Sequence, residues 1–184
     1  TRPLHHYFIR RMRTRPWRLA FADSSGKRLR RLQSLVSVIA MAKVLEPIWR
    51  GQKYIGVLLP PSIAGAFANL AAALAGKTTV NLNFTAGKSG MHSAIKQAGL
   101  TNILTSRQFI EKAGLEVPEN AHLHYLEDIV AKISFFTKIS ALFASLTMPL
   151  RCLEWYCGAK KPVDLDSEAT VIFSSGSTGE PKGV

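Results

Sequence analysis

Short apolar runs alternate with helical segments along most of the chain, and this alternation restricts the fold more than any other feature. One run, at residues 54–60, reads YIGVLLP, which is typical of a strand buried on both faces of a parallel sheet. A small, apolar helical segment follows it, with Ser62 as the candidate N-cap and Gly76 as the candidate stop. Strands joined by such helices form right-handed βαβ units. The pattern therefore predicts an α/β fold with a mainly parallel sheet flanked by helices on both faces.

The same reading gives the positions of the strands and helices. We expect the parallel sheet to contain five strands, at residues 54–59, 78–83, 101–105, about 122–126 and 169–173. A short β-hairpin is expected near the start of the chain, where LAFADSSGKRL contains a Ser-Gly turn. Helices are predicted at residues 33–45, 87–98 and 107–114. The first of these should end before Pro47, because proline lacks the N–H group that continues a helix.

Length and composition narrow the class of protein. A chain of 184 residues that is 47% apolar can form one domain with a real core, which excludes a wholly disordered chain. Collagenous, disulfide-stapled and coiled-coil classes are also excluded. Cys152 and Cys157 match no metal or redox motif, so we expect reduced thiols and a cytosolic chain. Thr1 is interpreted as a cut within a longer protein, because the sequence has no initiator Met and its first residues lack the features of a signal peptide.

The first 31 residues are strongly basic. They contain ten Lys and Arg residues against one Asp, a net +9 of the chain's +12. Such a segment attracts phosphates of nucleic acid or of anionic lipid. Leu4, Phe8, Ile9 and Met12 recur at helical spacing, which suits a helix on a membrane surface or one packed on its own domain. We favour the packed helix, and nucleic acid is not favoured because no recognised nucleic-acid motif accompanies the arginines.

Two pairs of histidines are candidate metal ligands. His5 and His6 are adjacent, so on a helix we expect them to point apart and to be poor joint ligands. His122 and His124 share one face of a strand, but no third ligand lies near them in the sequence, so we interpret them as a pair of surface histidines rather than a zinc site. The sequence therefore predicts no metal site.

Residues 133–150 read ISFFTKISALFASLTMPL and carry a single charge, Lys138. The length approaches the minimum for a membrane span, but the period of the pattern indicates a one-sided amphipathic helix. Its apolar side, called here the apolar stripe, consists of Phe135, Phe136, Ile139, Leu142, Phe143, Leu146 and Leu150. The opposite side consists of Ser134, Thr137, Lys138, Ala141 and Ser145.

Such a helix can lie in a bilayer interface, cover the sheet, or do each in turn. Considering only the burial of its apolar side, we favour a helix that covers the sheet. We expect the apolar stripe to lie outside the sheet core and to be at least partly exposed.

The last segment, residues 171–184, reads VIFSSGSTGEPKGV, so a Gly/Ser-rich loop begins at the end of a buried strand. Ligand loops of α/β sheets lie at that position. The spacing does not match GxxxxGK[ST]. The glycines nevertheless allow a close backbone approach, and the hydroxyl groups and Lys182 suit phosphate oxygens. From this chemistry alone, a flexible Gly/Ser linker remains a competing interpretation.

The stretch SSGSTGEPKG resembles the phosphate-loop signature of the adenylate-forming enzymes, which include acyl-CoA synthetases, luciferases and peptide-synthetase adenylation domains. Two upstream stretches, YIGVLLPPSIAGAFANLAAALAGKTTVNLNFTAG and ILTSRQFIEK, extend the resemblance. They are most similar to the synthetase part of the bacterial bifunctional 2-acylglycerophosphoethanolamine acyltransferase/acyl-[acyl-carrier-protein] synthetases. The resemblance implies a partial N-terminal AMP-binding domain over residues 1–184, with a basic helix and hairpin at 1–31, an amphipathic helix at 133–150 and a phosphate loop at 171–184.

The resemblance also implies a reaction. A fatty acid would react with ATP and Mg²⁺ to give an acyl-adenylate, and a thiol of acyl carrier protein or coenzyme A would then accept the acyl group, in phospholipid reacylation. The residues implied to hold the ATP phosphates are Ser174, Ser175, Gly176, Ser177, Thr178, Gly179 and Lys182.

In the family, the catalytic lysine, the magnesium-binding acid and the adenine pocket follow this signature. No catalytic residue and no metal ligand is therefore assigned to this chain, and the fragment by itself is expected to be inactive and to bind ATP weakly. Its loop is expected to be unanchored, because the returning strand would begin near Val184. The resemblance implies a cytoplasmic ligase, peripheral at the inner face of the bacterial cell membrane. The alternative is a basic, amphipathic module that binds membrane surfaces without catalysis.

Overall fold

The computed structural model describes residues 2–24, 26–116, 121–163, 165–175 and 181–183. Its strands are β1 (Leu19–Ala22), β2 (Arg28–Arg30), β3 (Tyr54–Val57), β4 (Thr78–Asn81), β5 (Asn102–Thr105), β6 (His122–Tyr125), β7 (Thr170–Ser175) and β8 (Pro181–Gly183). Its helices are α1 (Leu4–Arg13), α2 (Arg31–Trp49), α3 (Ile63–Leu74), α4 (Gly87–Gln97), α5 (Arg107–Ala113), α6 (Leu126–Ala131), α7 (Phe135–Thr147) and α8 (Leu150–Tyr156), with a 3₁₀ turn at Phe84–Ala86.

The main sheet has the strand order β6-β5-β3-β4-β7-β8. The five strands from β6 to β7 are parallel, and β8 runs antiparallel to β7 at the edge. β1 and β2 form a separate antiparallel hairpin. The α/β class, the five parallel strands and the early hairpin are thus confirmed.

Helices cover both faces of this sheet. On one face, α2 and α3 pack against Ile55, Val57 and Leu104. On the other face, α4 packs against Leu58 and Ile103. The predicted N-cap of α3 is present, since the Ser62 hydroxyl accepts a hydrogen bond from the Gly65 amide. These layers bury the continuous apolar runs from both sides, which is why the runs lack an alternating polar face.

The central helix of the larger core is α2, and its predicted end is wrong. The helix continues through Pro47 to Trp49, whose side chain is 1% exposed. Burial of Leu45 and Trp49 in the core outweighs the hydrogen bond that the proline removes. Among the described residues, α2 alone is long and apolar enough to cross a membrane by length and composition. Half of its apolar window is buried inside the fold, where α3 and α7 pack against it.

The predicted helix at 133–150 is two helices, α7 and α8, because the backbone is extended at Met148 and α8 starts after Pro149. α7 packs on α2, rather than on the sheet itself, through the small residues Ala141, Ala144 and Ser145. Small side chains allow the two helices to approach closely.

The six residues of the apolar stripe that belong to α7 therefore face outward, as expected, whereas Leu150 belongs to α8 and packs partly buried against the larger core. Phe136 is 80% exposed and Phe143 is 66% exposed. Phe135, Ile139, Leu142 and Leu146 are also exposed.

The basic first helix is packed on its own domain, which confirms the favoured interpretation. Ile9 and Met12 are buried in the larger core. The Arg13 guanidinium donates hydrogen bonds to the carbonyl oxygens of Ser145 and Met148, at 2.7 and 2.6 Å. These two bonds attach the carboxyl end of α1 to the carboxyl end of α7.

Candidate functional site

The Gly/Ser-rich loop lies between two paired strands. β7 ends at Ser175, and β8 begins at Pro181 and pairs with β7 in antiparallel register. The backbone partners are Phe173 with Gly183, Ser174 with Lys182, and Ser175 with Pro181. The expectation that the loop is unanchored is therefore wrong. The returning strand begins before Val184, and its pairing with β7 fixes both ends of the loop.

The structure describes part of the implied phosphate-binding set. Ser174 and Ser175 are the last two residues of β7, and Lys182 is the middle residue of β8. The other four residues lie outside the described residues, namely Gly176, Ser177, Thr178 and Gly179. The backbones of Ser174 and Lys182, eight positions apart in the chain, are thus brought side by side at the carboxyl end of β7.

Gly183 allows β8 to lie close to β7. A Cβ atom at this position would lie 3.2 Å from Cζ of Phe173 and 3.3 Å from Cγ1 of Val171. Those contacts are tighter than ordinary van der Waals separations, so a larger residue would require the side chains of Phe173 and Val171 to shift by a few tenths of an ångström.

A polar network locks β7 to its neighbours. Asn69 of α3 accepts hydrogen bonds through Oδ1 from Thr79 Oγ1 (2.7 Å) and Asn81 Nδ2 (2.9 Å). The same Asn81 amide group lies 3.0 Å from Thr170 Oγ1, which in turn donates to the Thr79 carbonyl oxygen at 3.0 Å. The network joins α3, β4 and β7, so the strand that leads into the loop is held by side chains as well as by the ladder.

Further contacts hold the chain just before β7. The Glu168 carbonyl oxygen accepts a hydrogen bond from Thr78 Oγ1 at 2.8 Å. Its carboxylate accepts one from the Tyr54 hydroxyl at 2.8 Å and forms an ion pair with Lys53 at 3.0 Å. These hydrogen bonds, from Tyr54 first and then Lys53, hold the pKa of Glu168 below its usual value. Both ends of β7 are thus fixed to neighbouring parts of the fold.

A cavity of about 880 Å³ lies beside the amino end of β7, on the side of α3. Its lining includes His5, Asn69, Lys77, Lys160, Lys161 and Thr170. Burial, followed by the nearby charge of Lys160, lowers the pKa of Lys77. Among the described residues, the lining includes β7 at Thr170, its first residue, whereas the Gly/Ser-rich loop follows Ser175, its last residue.

His5 and His6 do not point apart as expected. Both Nε2 atoms lie within hydrogen-bonding distance of one oxygen, Oε1 of Glu154, at 2.8 and 2.5 Å. All three side chains are buried. Burial lowers the pKa of His5. Burial acts to raise the pKa of Glu154, but hydrogen bonds from the two histidines leave that pKa below its usual value. The two imidazoles thus converge on one carboxylate oxygen of α8, although they are adjacent in the first turn of α1.

The surface histidine pair behaves differently. His122 is exposed, and His124 lies 2.6 Å from Asn102 Oδ1 on the neighbouring strand. The interpretation of this pair as surface residues fits these positions.

Sequence reasoning missed both polar clusters, although one left a signal. The Thr and Asn residues of TTVNLN interrupt an otherwise apolar strand, and buried polar side chains require partners. The partner of His5 and His6 is nearly 150 positions away, so no local pattern could have identified it.

The fold and the loop define an α/β domain with a glycine-rich loop at the carboxyl end of an inner parallel strand. The chain belongs to the AMP-binding enzyme family, whose model matches residues 9–184.

Solved structures of adenylating enzymes share the fold. The N-terminal subdomain of NpsA from Klebsiella oxytoca, in complex with 3-hydroxybenzoyl-AMSN, superposes with a TM-score of 0.73 at 15% identity, over 100% of this chain and 40% of that one. O-succinylbenzoate coenzyme A synthetase (MenE) from Bacillus subtilis, in complex with AMP, has a TM-score of 0.68 at 18% identity, over 97% and 41%. The nonribosomal peptide synthetase FmoA3 has a TM-score of 0.69 at 19% identity, over 100% of this chain and 18% of that one.

The chain therefore spans about 40% of the length of the first two neighbours. At these identities the likeness shows the fold, which is that of the N-terminal subdomain of adenylate-forming enzymes.

Proposed function

We propose that this chain is the phosphate-loop portion of an ATP-dependent fatty acid ligase, which forms an acyl-adenylate and passes the acyl group to the thiol of acyl carrier protein or coenzyme A. The observation that carries the proposal is the strand–loop–strand unit at the carboxyl end of β7, which bears the signature from Ser174 to Lys182. Family membership over residues 9–184 supports adenylate formation. The fatty acid and the phospholipid reacylation context rest on the resemblance to the bacterial bifunctional synthetases.

The fold suits the binding of a polyphosphate at this loop. ATP, with Mg²⁺, supplies the adenylyl group that makes the substrate carboxylate reactive. This chain's own contribution is to position backbone N–H groups, hydroxyls and one ammonium group: the proposed residues are Ser174, Ser175, Gly176, Ser177, Thr178, Gly179 and Lys182. The anchored β7–β8 hairpin reduces the entropy lost when the loop closes on phosphate, because its two ends are already held together. No catalytic residue and no magnesium ligand is proposed from this chain.

A second candidate function is supported by the exposed apolar stripe. Residues 129–153 contain no Asp or Glu, and neither do residues 1–22. Arg13 joins the two helices that these stretches form, and Arg10 and Arg11 are exposed on α1. Exposed aromatic side chains next to unopposed arginines match the chemistry of an anionic membrane surface. Such a surface would hold the proposed ligase at the inner face of the cell membrane. The alternative is a non-catalytic module whose whole function is to bind that membrane.

The substrate claim can be tested with the protein extended to the length of its structural neighbours. We expect palmitate, ATP and Mg²⁺ to give an acyl thioester on coenzyme A or acyl carrier protein, measured by mass spectrometry. Aspartate and 3-hydroxybenzoate serve as matched carboxylate controls and should give at least tenfold less product. Thioester formation from one of the controls, with none from fatty acids, would contradict the fatty acid assignment and retain the adenylate-forming one.

A further inference from the structure

A buried polar cluster joins the first turn of α1 to α8. It consists of His5, His6 and Glu154, which are 2%, 6% and 2% exposed. One potential ligand atom from each side chain, an imidazole nitrogen or a carboxylate oxygen, lies within 4.8 Å of the other two. The three side chains therefore present three convergent donor atoms in a site that is closed to bulk water.

Hydrogen bonding leaves this cluster incompletely satisfied. Oε1 of Glu154 is the hydrogen-bond partner of both imidazoles, whereas Oε2 is buried and has no hydrogen-bond partner among the described residues. The nearest positive group is Nη1 of Arg151, 3.6 Å from Oε2, on a side chain that is 58% exposed. A buried carboxylate oxygen without a hydrogen bond is costly, because it has lost its water without gaining a donor.

We propose that His5, His6 and Glu154 form a site for one divalent transition-metal ion with the preferences of zinc. Two imidazole nitrogens and one carboxylate oxygen are a donor set that zinc uses, with the fourth position left for water. Tetrahedral ligand atoms at zinc lie roughly 3.3 Å apart, given zinc–ligand distances of about 2.0–2.1 Å. The observed separations of 2.8 and 2.5 Å thus need to open by roughly half an ångström to one ångström, a shift that side-chain torsions can supply.

One of the three proposed ligands, His5, also lines a cavity. His5 and Gly158 both line the cavity beside the amino end of β7, and so does Pro3, which caps α1. Because His5 lines this cavity, the cavity is the proposed entry path for the ion.

The charges around the cluster allow a cation. Two neutral imidazoles and one carboxylate carry a net charge of −1, which a divalent ion reverses to +1. Arg151 is the nearby cation that opposes the ion, and its exposed guanidinium can turn toward water when the carboxylate binds metal. The bound ion would link two helices whose ligands are 148 positions apart, so it would stabilise the folded chain.

The test uses the 184-residue chain without a histidine tag. Zinc is titrated in competition with a chromophoric chelator, and we expect one equivalent to bind in the micromolar range or tighter. Glu154→Gln and His6→Gln should each weaken binding at least tenfold, whereas His92→Gln, at an exposed position on α4, should leave it unchanged. Binding that is absent, or that the two cluster variants leave unchanged, would overturn the proposal.

A measurement on the unaltered chain covers the case in which the cluster variants do not fold. Zinc X-ray absorption of the one-equivalent complex should show two imidazole ligands, further oxygen donors at about 2.0–2.2 Å, and no sulfur. A sulfur ligand would place the ion at Cys152 or Cys157 instead, and fewer than two imidazoles would exclude the cluster. Zinc should also raise the thermal midpoint of the unaltered chain, and a midpoint that zinc does not raise would count against a link between α1 and α8.

Discussion

Replacement of Lys182 by alanine should slow adenylate formation about 10-fold to 100-fold in the protein extended to the length of its neighbours. The lysine ammonium is proposed to contact the ATP phosphates, and hydrogen bonds to charged groups are worth ~1.5–3 kcal/mol each. A loss of that size in transition-state stabilisation corresponds to roughly one to two powers of ten in rate. Adenylate formation is measured as pyrophosphate release with saturating carboxylate.

The matched control is Lys161→Ala, which removes the same charge from an exposed position beside the amino end of β7. That variant should retain the rate of the unaltered protein within about twofold. Equal rates for Lys182→Ala and Lys161→Ala would show that Lys182 does not contact the polyphosphate. Unchanged circular dichroism and thermal midpoints would confirm that both variants fold.

The second large effect is expected for membrane binding by the apolar stripe. The double variant Phe143→Asp and Leu146→Asp should bind vesicles of phosphatidylcholine and phosphatidylglycerol at least tenfold more weakly than the unaltered chain. Burial of each large apolar side chain is worth about 1.5–3 kcal/mol, and each new carboxylate also repels an anionic surface. Both side chains are already exposed, so the substitutions should leave the fold intact. Co-sedimentation measures the effect.

The control for added charge is His92→Asp with Thr101→Asp, two exposed positions on the other side of the sheet. This variant should bind vesicles nearly as well as the unaltered chain. If Phe143→Asp with Leu146→Asp binds unchanged, the stripe is excluded and the arginine-rich start becomes the candidate. The same pair should also weaken binding in the extended protein. A loss confined to the 184-residue chain would mean that the rest of the longer protein covers the stripe.

The parallel sheet could be predicted because segments of strand length with an apolar centre alternate with helical segments along the chain. Residues 54–57 and 102–105 show this directly. The end of α2 could not be predicted from the sequence. The local cost of Pro47 is visible there, whereas the burial of Trp49 depends on tertiary packing. Strand β8 was missed for a similar reason. Its three residues, Pro181–Gly183, have no strand pattern of their own and become a strand only by pairing with β7.

The orientation of α7 shows a different limit. Periodicity correctly separated its two sides, and the expected exposure of the apolar stripe is confirmed, but the sequence did not identify α2 as the element that covers the other side. The small residues Ala141 and Ala144 pack on α2 because they permit a close approach, and the larger apolar side chains are left outside. The cluster of His5, His6 and Glu154 could not be predicted from the sequence, because its members meet only in the folded chain.

The central claim is that this chain belongs to an enzyme that adenylates a carboxylate, and that the β7–β8 hairpin holds the phosphates of ATP. The most direct measurement is carboxylate-dependent exchange of labelled pyrophosphate into ATP by the extended protein in the presence of Mg²⁺. We expect exchange that requires a fatty acid, falls at least tenfold in Lys182→Ala, and is absent from the 184-residue chain alone. Extended protein that is folded but shows no exchange with fatty acids, aspartate or aromatic acids would contradict the claim.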